Sequence, residues 1–244
     1  MNNISNLPKI CVAICHYNHQ QYLKDSIDSI INQKYQDLDI VIVDDCSTNQ
    51  QEFLDIVNSY NDPRIRIKTF EKNLGKWACL NYAFETTKAD LCTSHDADDI
   101  SLNWRIGSQL FAMMNTNSIH NLCGFVHCYN QEDIEKNKNN QIDSQMKIMG
   151  QEEVNRLVNF SLNYPQIKHY FTGDFETAGV SSMFVKNIWD LGIRFNPPKI
   201  GLRTLLSEDS DFNYRVTRIF GNTSVLMEKP YLYRRHTSTN KEEF

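Results

Sequence analysis

The stretch Ser94-His95-Asp96-Ala97-Asp98-Asp99 puts three carboxylates within four residues, directly after an apolar run from Ala89 to Thr93 that reads as a buried strand. Carboxylates this close raise one another's pKa and repel in a folded chain. A divalent cation removes that cost, and hard carboxylate oxygens are the ligands that Mg2+ or Mn2+ prefers. In an extended turn Asp96 and Asp98 fall on one side of the backbone and Asp99 on the other. The Asp-x-Asp pair can then present two carboxylates to one metal-bound ligand. A solvated acidic turn accounts for the segment equally well when it is taken alone. A calcium-binding EF-hand loop does not. Counted from Asp96 it needs Gly at the sixth position and Glu at the twelfth, where this chain has Ser101 and Gly107.

The elements before this stretch decide whether it stands alone. Ile10 to Cys15 is apolar and β-prone and ends in the turn His16-Tyr17-Asn18. Leu23, Ile27, Ile30 and Ile31 then recur at helical spacing, which predicts a helix to about Gln33. Ile40 to Val43 is a continuous apolar run, as in a strand covered on both faces. It ends in Asp44-Asp45-Cys46-Ser47-Thr48, whose Ser and Thr can cap the next helix. That helix runs to about Tyr60 and is broken at Asp62-Pro63. Arg64 to Phe70 alternates basic and apolar residues and suits a half-exposed strand. Asn73-Leu74-Gly75-Lys76 is a turn, and Trp77, Leu80, Ala83 and Phe84 mark one helix face.

The order β-α-β-α-β-α-β implies a mostly parallel sheet with covering helices. In such sheets ligands bind beyond the carboxyl ends of the strands. His16 to Asn18, Asp44-Asp45 and Asp96 to Asp99 all fall at such ends, so three polar clusters converge on one edge. No GxGxxG follows the first strand and no Walker A lysine motif is present. A dinucleotide dehydrogenase and a P-loop NTPase are therefore unsupported.

The second half is less regular. Trp104, Leu110, Phe111 and Met114 suggest a helix packed on the sheet, and Leu122 to Tyr129 reads as a strand. Asn130 to Gln145 is rich in Asn, Lys, Gln and Glu and reads as a mobile, solvated loop. Glu152 to Phe160 reads as a helix, Ser181 to Val185 as a short strand, and Pro197-Pro198 as an irregular connection. Ser207 can cap a helix that opens with Glu208-Asp209, turns Phe212, Val216 and Ile219 inward, and ends at Gly221. Thr223 to Met227 is a last strand, followed by a tail holding Tyr233-Arg234-Arg235-His236.

Composition narrows the class further. The chain has 244 residues, 41% of them hydrophobic and 23% charged, as expected of a soluble globular protein. A net charge of -5 argues against a general nucleic-acid binder. No run of about 18 apolar residues suggests a membrane span, and Met1 to Leu7 lacks the regions of a signal peptide. These features predict a cytoplasmic chain, with peripheral attachment as the form any membrane contact would take. Seven cysteines lie mostly inside apolar runs without a CxxC pair, which predicts buried free thiols and no zinc site.

The ordered set Cys15-His16-Tyr17-Asn18, Val43-Asp44-Asp45-Cys46-Ser47, Asn73-Leu74-Gly75-Lys76, Asp96-Ala97-Asp98-Asp99, Ser207-Glu208-Asp209 with Arg215, and Tyr233-Arg234-Arg235-His236 resembles family 2 glycosyltransferases. It spans about residues 8 to 240. The resemblance implies an α/β fold of GT-A type: a Rossmann-like, mixed, mostly parallel sheet flanked by helices, in a single domain over residues 1–244. A nucleotide-sugar-binding half would cover about 8–100 and an acceptor-binding half about 101–240. It also implies inverting transfer of a sugar from a nucleoside diphosphate sugar, with UDP as the expected nucleotide, to a hydroxyl of a glycan, lipid-linked or protein acceptor. The cofactor would be Mn2+ or Mg2+.

By the same resemblance Tyr17 stacks near the base and Asp45 accepts a hydrogen bond from it. Asp96 contacts the ribose or the metal, Asp98 holds the metal, with His236 a further candidate, and Asp209 is the catalytic base. Lys76, Arg234 and Arg235 are the cations available to the diphosphate. These residue types suit the chemistry. Charge builds on a departing diphosphate, which a metal and nearby cations offset, and an acceptor hydroxyl needs a base. Bland roles remain open: a helix N-terminal charge for Asp45, Glu208 and Asp209, and a solvated tail for Arg234 and Arg235. Successive helical residues diverge by about 100°, so only one of Glu208 and Asp209 is expected to face the donor. The first-strand turn departs from the family's usual Pro-Thr-Tyr-Asn. A binding module of the same fold that has lost catalysis is the alternative, and intact Asp96, Asp98 and Asp209 argue against it. A sugar-phosphate nucleotidyltransferase would need a Gly-rich basic loop where His16 to Gln21 stands.

Overall fold

The computed structural model describes residues 7–141, 146–150, 152, 154, 181–198 and 207–235. The first half alternates β1 (Ile10–His16), α1 (Gln20–Ile31), β2 (Leu38–Asp44), α2 (Gln50–Asn58), β3 (Ile65–Thr69), α3 (Lys76–Thr86) and β4 (Leu91–Asp96). A two-residue strand, β5 (Ile100–Ser101), precedes α4 (Arg105–Thr116), β6 (His120–Cys128) and α5 (Gln131–Lys138). Then come β7 (Ile148–Met149), β8 (Met183–Val185), α6 (Lys186–Asp190), α7 (Glu208–Phe220) and β9 (Thr223–Arg234).

The strands form one sheet in the order β3-β2-β1-β4-β8-β6-β9-β5, with β7 paired to β9. Strands β1 to β4 run parallel, β8 is antiparallel to both β4 and β6, and β6 and β9 are parallel. The sheet is thus mixed and mostly parallel in its first half. Both faces are covered, which explains the unbroken apolar runs in β1 and β2. Val12, Ile14, Ile40 and Ile42 pack with Ile27 of α1, Phe53 of α2 and Ile106, Leu110 and Met113 of α4 on one face. Cys11, Ala13, Val41 and Val43 pack with Leu80 and Phe84 of α3, Trp189 of α6 and Phe212 and Val216 of α7 on the other. All seven cysteines are free thiols.

Several local expectations are corrected. Within Asn130 to Gln145, residues Gln131–Lys138 form α5 rather than a loop. Asn130 caps it by accepting from the Asp133 N–H at 2.9 Å, with acids in its first turn and lysines in its last. Ile134 fixes it by burying itself against Ile100, Trp104 and Leu232. The inward face of α4 carries Ile106, Leu110 and Met113, whereas Phe111 and Met114 are exposed. Ile219 of α7 is likewise exposed, and Asn213 and Thr217 share the inward face with Phe212 and Val216. Asn49, not Ser47 or Thr48, caps α2. The last strand continues through Arg234 instead of stopping at Met227. The expected helix Glu152 to Phe160 lies almost wholly outside the described residues. No described helix is long and apolar enough to cross a membrane.

His120 of β6 is fully buried, with Nδ1 3.0 Å from the Thr223 hydroxyl and Nε2 3.1 Å from Asn213 Oδ1. An amide oxygen only accepts, so Nε2 carries the proton of a neutral ring. Burial pulls its pKa down to about 4, against a small opposing effect of Asn213. Between pH 6.5 and about 4 the unfolded chain therefore binds a proton that the folded chain refuses, and stability falls as pH is lowered through that window. The loss is on the order of 3 kcal/mol, with no contribution at pH 7. Urea titrations at pH 7 and pH 5 should show a larger drop for the wild type than for His120→Gln. Equal drops would refute this account.

Candidate active site

Strand order reverses about β1. The chain runs β1 to β2 to β3 on one side and then places β4 on the other. In open α/β sheets that reversal leaves a crevice beyond the carboxyl ends of the strands. The register sets Asp44 beside His16 and Asp96 beside Cys15, so the polar ends of β1, β2 and β4 meet there. A pocket of 290 Å³ opens between them, lined among others by Tyr17, His19, Asp45, Lys76, Asp96 and Asp98.

The turns after β1 and β2 are tied into one unit. His16 Nε2 accepts from the His19 N–H at 3.2 Å, so Nδ1 carries the proton and donates to Asp44 Oδ1 at 2.8 Å. The Ser47 hydroxyl donates to the same carboxylate and accepts from the Asn18 N–H at 2.9 Å. Asn18 Oδ1 takes the Thr48 N–H at 2.8 Å. Burial works to raise the Asp44 carboxyl, but the bonds from His16 and Ser47 outweigh it and hold the group below its usual range. Asn18 and Cys46 both adopt positive φ, which Asn tolerates and Cys disfavours. Tyr17 stands half exposed between these anchored residues.

Asp45 reaches across to the turn before α3. Its two oxygens accept the Leu74 and Gly75 N–H groups, each at 2.8 Å. Gly75 has φ +93, and a Cβ there would come 3.1 Å from the Trp77 ring. The turn so held delivers Lys76, the first residue of α3, into the pocket. Its Nζ lies 2.7 Å from Asp96 Oδ1 and 4.0 Å from both Glu208 Oε1 and Asp209 Oδ2. Burial opposes the charged amine, but Asp96, Asp209 and Glu208 together hold its pKa well above the ordinary lysine value. Both acids of the Glu208-Asp209 pair therefore approach the Lys76 ammonium. Ser207 stands at the N-cap, but its hydroxyl donates to Ser210 Oγ at 2.9 Å instead of capping the backbone.

The acidic stretch divides its labour. The Tyr231 hydroxyl donates to Asp99 Oδ2 at 2.7 Å and accepts from the Asp96 N–H at 3.2 Å. The Arg234 N–H donates to Asp99 Oδ1 at 2.7 Å. Asp99 is thus turned inward and Asp96 and Asp98 face the pocket. Burial, then Asp98 and Asp96, push the Asp99 carboxyl well above its usual range. Burial lifts Asp96 to about 6 against the pull of Lys76, with Asp98 adding to the rise. Asp96, Asp98 and Asp99 each bring an oxygen within 4.8 Å of the others. Hard oxygen donors at this spacing, in surroundings that penalise their charge, fit a divalent cation.

Some sequence-predicted residues sit differently. Arg234 is a buried strand residue whose Nε donates to the Asp98 carbonyl at 2.8 Å while its guanidinium lies 4.4 Å over the Tyr22 ring. It braces the acidic turn rather than forming a solvated tail. Arg235 donates to His127 Nδ1 at 3.1 Å and lies 5.1 Å over the Tyr233 ring. His236 is outside the described residues. Sequence reasoning gave no role to His19, whose Nδ1 is 3.4 Å from Asp98 Oδ2, or to Tyr231, and it quoted Tyr233 within a motif without assigning it one. A second His three residues after His16, in the same strand-end turn, was the available signal for the first. Tyr231 carried none, because its strand seemed to end at Met227.

A mixed sheet with its acidic site at this crossover is a GT-A type fold. The chain belongs to glycosyl transferase family 2, whose family model matches residues 11–184. An uncharacterized glycosyltransferase of Haemophilus influenzae is 30% identical over 145 residues, 59% of this chain and 56% of that protein. The chain thus spans little more than half of that relative. Among solved structures, S. aureus TarS 1-349 in complex with UDP superposes with a TM-score of 0.65 at 18% identity, covering 93% of this chain and 60% of that one. The mannosyltransferase PcManGT from Pyrobaculum calidifontis, in complex with GDP-Man and Mn2+, gives a TM-score of 0.61 at 14% identity, covering 98% and 59%.

Tyr231 joins both ends of the acidic turn through one hydroxyl. Tyr231→Phe strands the Asp96 N–H and an Asp99 oxygen in a buried place. It should lower stability by roughly 2 kcal/mol, the scale of a buried bond to an acid. Urea unfolding checks this, and an unchanged midpoint would show that the hydroxyl is not holding the turn.

Proposed function

We propose that this chain is a metal-dependent, inverting glycosyltransferase that moves a sugar from a nucleoside diphosphate sugar, UDP-linked in the first instance, to an acceptor hydroxyl. The observation that carries the reading is the meeting of Asp96 and Asp98 with Lys76 and the Glu208-Asp209 pair around one pocket at the strand crossover. The UDP complex of TarS and the GDP-Man and Mn2+ complex of PcManGT support the ligand class.

In this reading Tyr17 offers its exposed ring to the base, and Asp45 accepts from the base with the lone pairs that Leu74 and Gly75 leave unused. Asp96 and Asp98 hold Mn2+ or Mg2+, which when bound supplies Lewis-acid stabilisation of the diphosphate charge. Lys76 adds a fixed positive charge beside the same oxygens. Asp209 takes the proton of the acceptor hydroxyl as its oxygen bonds to the anomeric carbon, and the bond from that carbon to the diphosphate oxygen breaks. Attack opposite the leaving group inverts the anomeric centre. Arg234 positions the Asp98 backbone. The acceptor would approach from the second half, where Phe125, His127, Tyr129 and Tyr233 form a strip of rings leading from the pocket.

Calorimetry of UDP with Mn2+ and with EDTA should show metal-dependent tightening that Asp98→Ala largely removes; equal affinity in both buffers refutes the metal bridge. Asp209→Asn keeps shape and loses basicity, so UDP-sugar turnover should fall roughly 100-fold or more with donor binding nearly intact. Glu208→Gln should do much less. The reverse pattern would exchange the two roles, and no effect from either would place the base elsewhere.

A further inference from the structure

Lys76 stands where a charge conflict would otherwise arise. Its ammonium is 2.7 Å from one oxygen of Asp96 and 2.9 Å from the other, and 4.0 Å from each of Glu208 and Asp209. Only 24% of its side chain is exposed. Asp98, the other carboxylate of the pair, is met by His19 at 3.4 Å. The acidic pair therefore already has one protein cation, Lys76, on Asp96 and a histidine ring on Asp98.

We infer that Lys76 is an internal counter-ion that competes with the divalent cation for Asp96 and yields that carboxylate when a diphosphate draws the ammonium to itself. The inference rests on the metal-bridge reading given above. An ammonium bridging both oxygens of Asp96 occupies the directions from which a divalent ion would bind them. The ammonium and a divalent ion cannot share that carboxylate without mutual repulsion. The lysine stem is flexible, and its base is fixed by the turn that Asp45 holds, so the head can swing while Cα stays in place. A diphosphate in the pocket offers the ammonium new oxygens and frees Asp96. Metal and nucleotide then bind with positive coupling, and by linkage each strengthens the other equally. The device keeps the acidic pair neutralised between turnovers and delays metal capture until a donor is present.

The test uses Mn2+ itself and UDP, with calorimetry on the full chain. Wild type should bind Mn2+ alone weakly and more tightly with UDP. Lys76→Met should bind Mn2+ alone at least about tenfold more tightly than wild type, within the usual range of site couplings, and show a smaller gain from UDP. Lys76→Arg should behave like wild type toward Mn2+ alone. Lys72→Met removes an exposed charge from the same loop and should change Mn2+ affinity by less than about twofold, which separates local competition from net charge. If the methionine variant does not fold, Lys76→Gln carries the same comparison. Mn2+ affinity that does not rise on loss of Lys76, while UDP still tightens Mn2+ in the wild type, overturns this inference and leaves the metal bridge standing. Mn2+ affinity indifferent to UDP in the wild type overturns both.

Discussion

Three carboxylates, Asp96, Asp98 and Asp99, are held together at the end of a buried strand with little water to screen them. Removing such charges from water costs several kcal/mol per ion unless each finds a partner. Much of the surrounding structure answers that demand. Asp99 is satisfied by the Tyr231 hydroxyl and the Arg234 N–H, Asp96 by Lys76, and Asp98 by His19. The strand carrying Tyr231 and Arg234 must therefore return to the sheet edge, although β9 first departs from its pairing with β6 between Leu226 and Tyr231. Leu102 N–H on the Pro230 carbonyl, at 2.8 Å, ties that return to the segment just after the acidic turn.

The same logic orders the other two strand ends. His16, Asp44 and Ser47 resemble a charge-relay set in composition, yet their bonds go to backbone, to each other and, for Asp44, to the Gln50 side-chain amide at 3.3 Å. Nε2 of His16 holds the His19 N–H, and the Ser47 oxygen holds the Asn18 N–H. Their effect is to lock two turns so that Tyr17, His19 and Asp45 project into one crevice. Asp45 extends the lock to a third turn and thereby fixes where Lys76 begins. Three segments distant in sequence thus share one geometry through side chains whose part is to hold backbone in place.

The first half of this fold was legible because its signals are local and repeat. Apolar runs such as Ile40 to Val43 and spacings such as Leu23, Ile27 and Ile30 name their own elements. Polar residues at the run ends then mark the ligand edge. The second half failed where tertiary contacts outvoted composition. The helix Gln131–Lys138 looks like a loop until the Asn130 cap and the single anchor Ile134 are weighed. The strand through Arg234 was hidden by Glu228, Lys229 and Pro230, which read as a break and are a local irregularity. Position on α4 and α7 was misjudged because Phe111, Met114 and Ile219 are apolar yet exposed, while Gln109 and Asn213 are polar yet buried. No single-sequence pattern could have placed Lys76 between Asp96 and the Glu208-Asp209 pair, since that meeting joins residues more than a hundred positions apart.

The charges at the crossover also constrain what can enter. Asp96, Asp98, Glu208 and Asp209 carry acid groups around the pocket, and among the described residues that line it Lys76 is the one lysine or arginine. Arg234 spends its guanidinium on the Asp98 carbonyl and the Tyr22 face, and so adds charge from behind. A diphosphate approaching this arrangement alone would meet acids at close range, and in a half-buried pocket screening is weak. It can settle only with positive charge beside its oxygens. Lys76 supplies one unit, already committed to Asp96. On the proposed function the remaining charge would come from a divalent ion held by Asp96 and Asp98. On that proposal anion binding and cation binding are coupled, and the acidic pair is the part of the site that couples them.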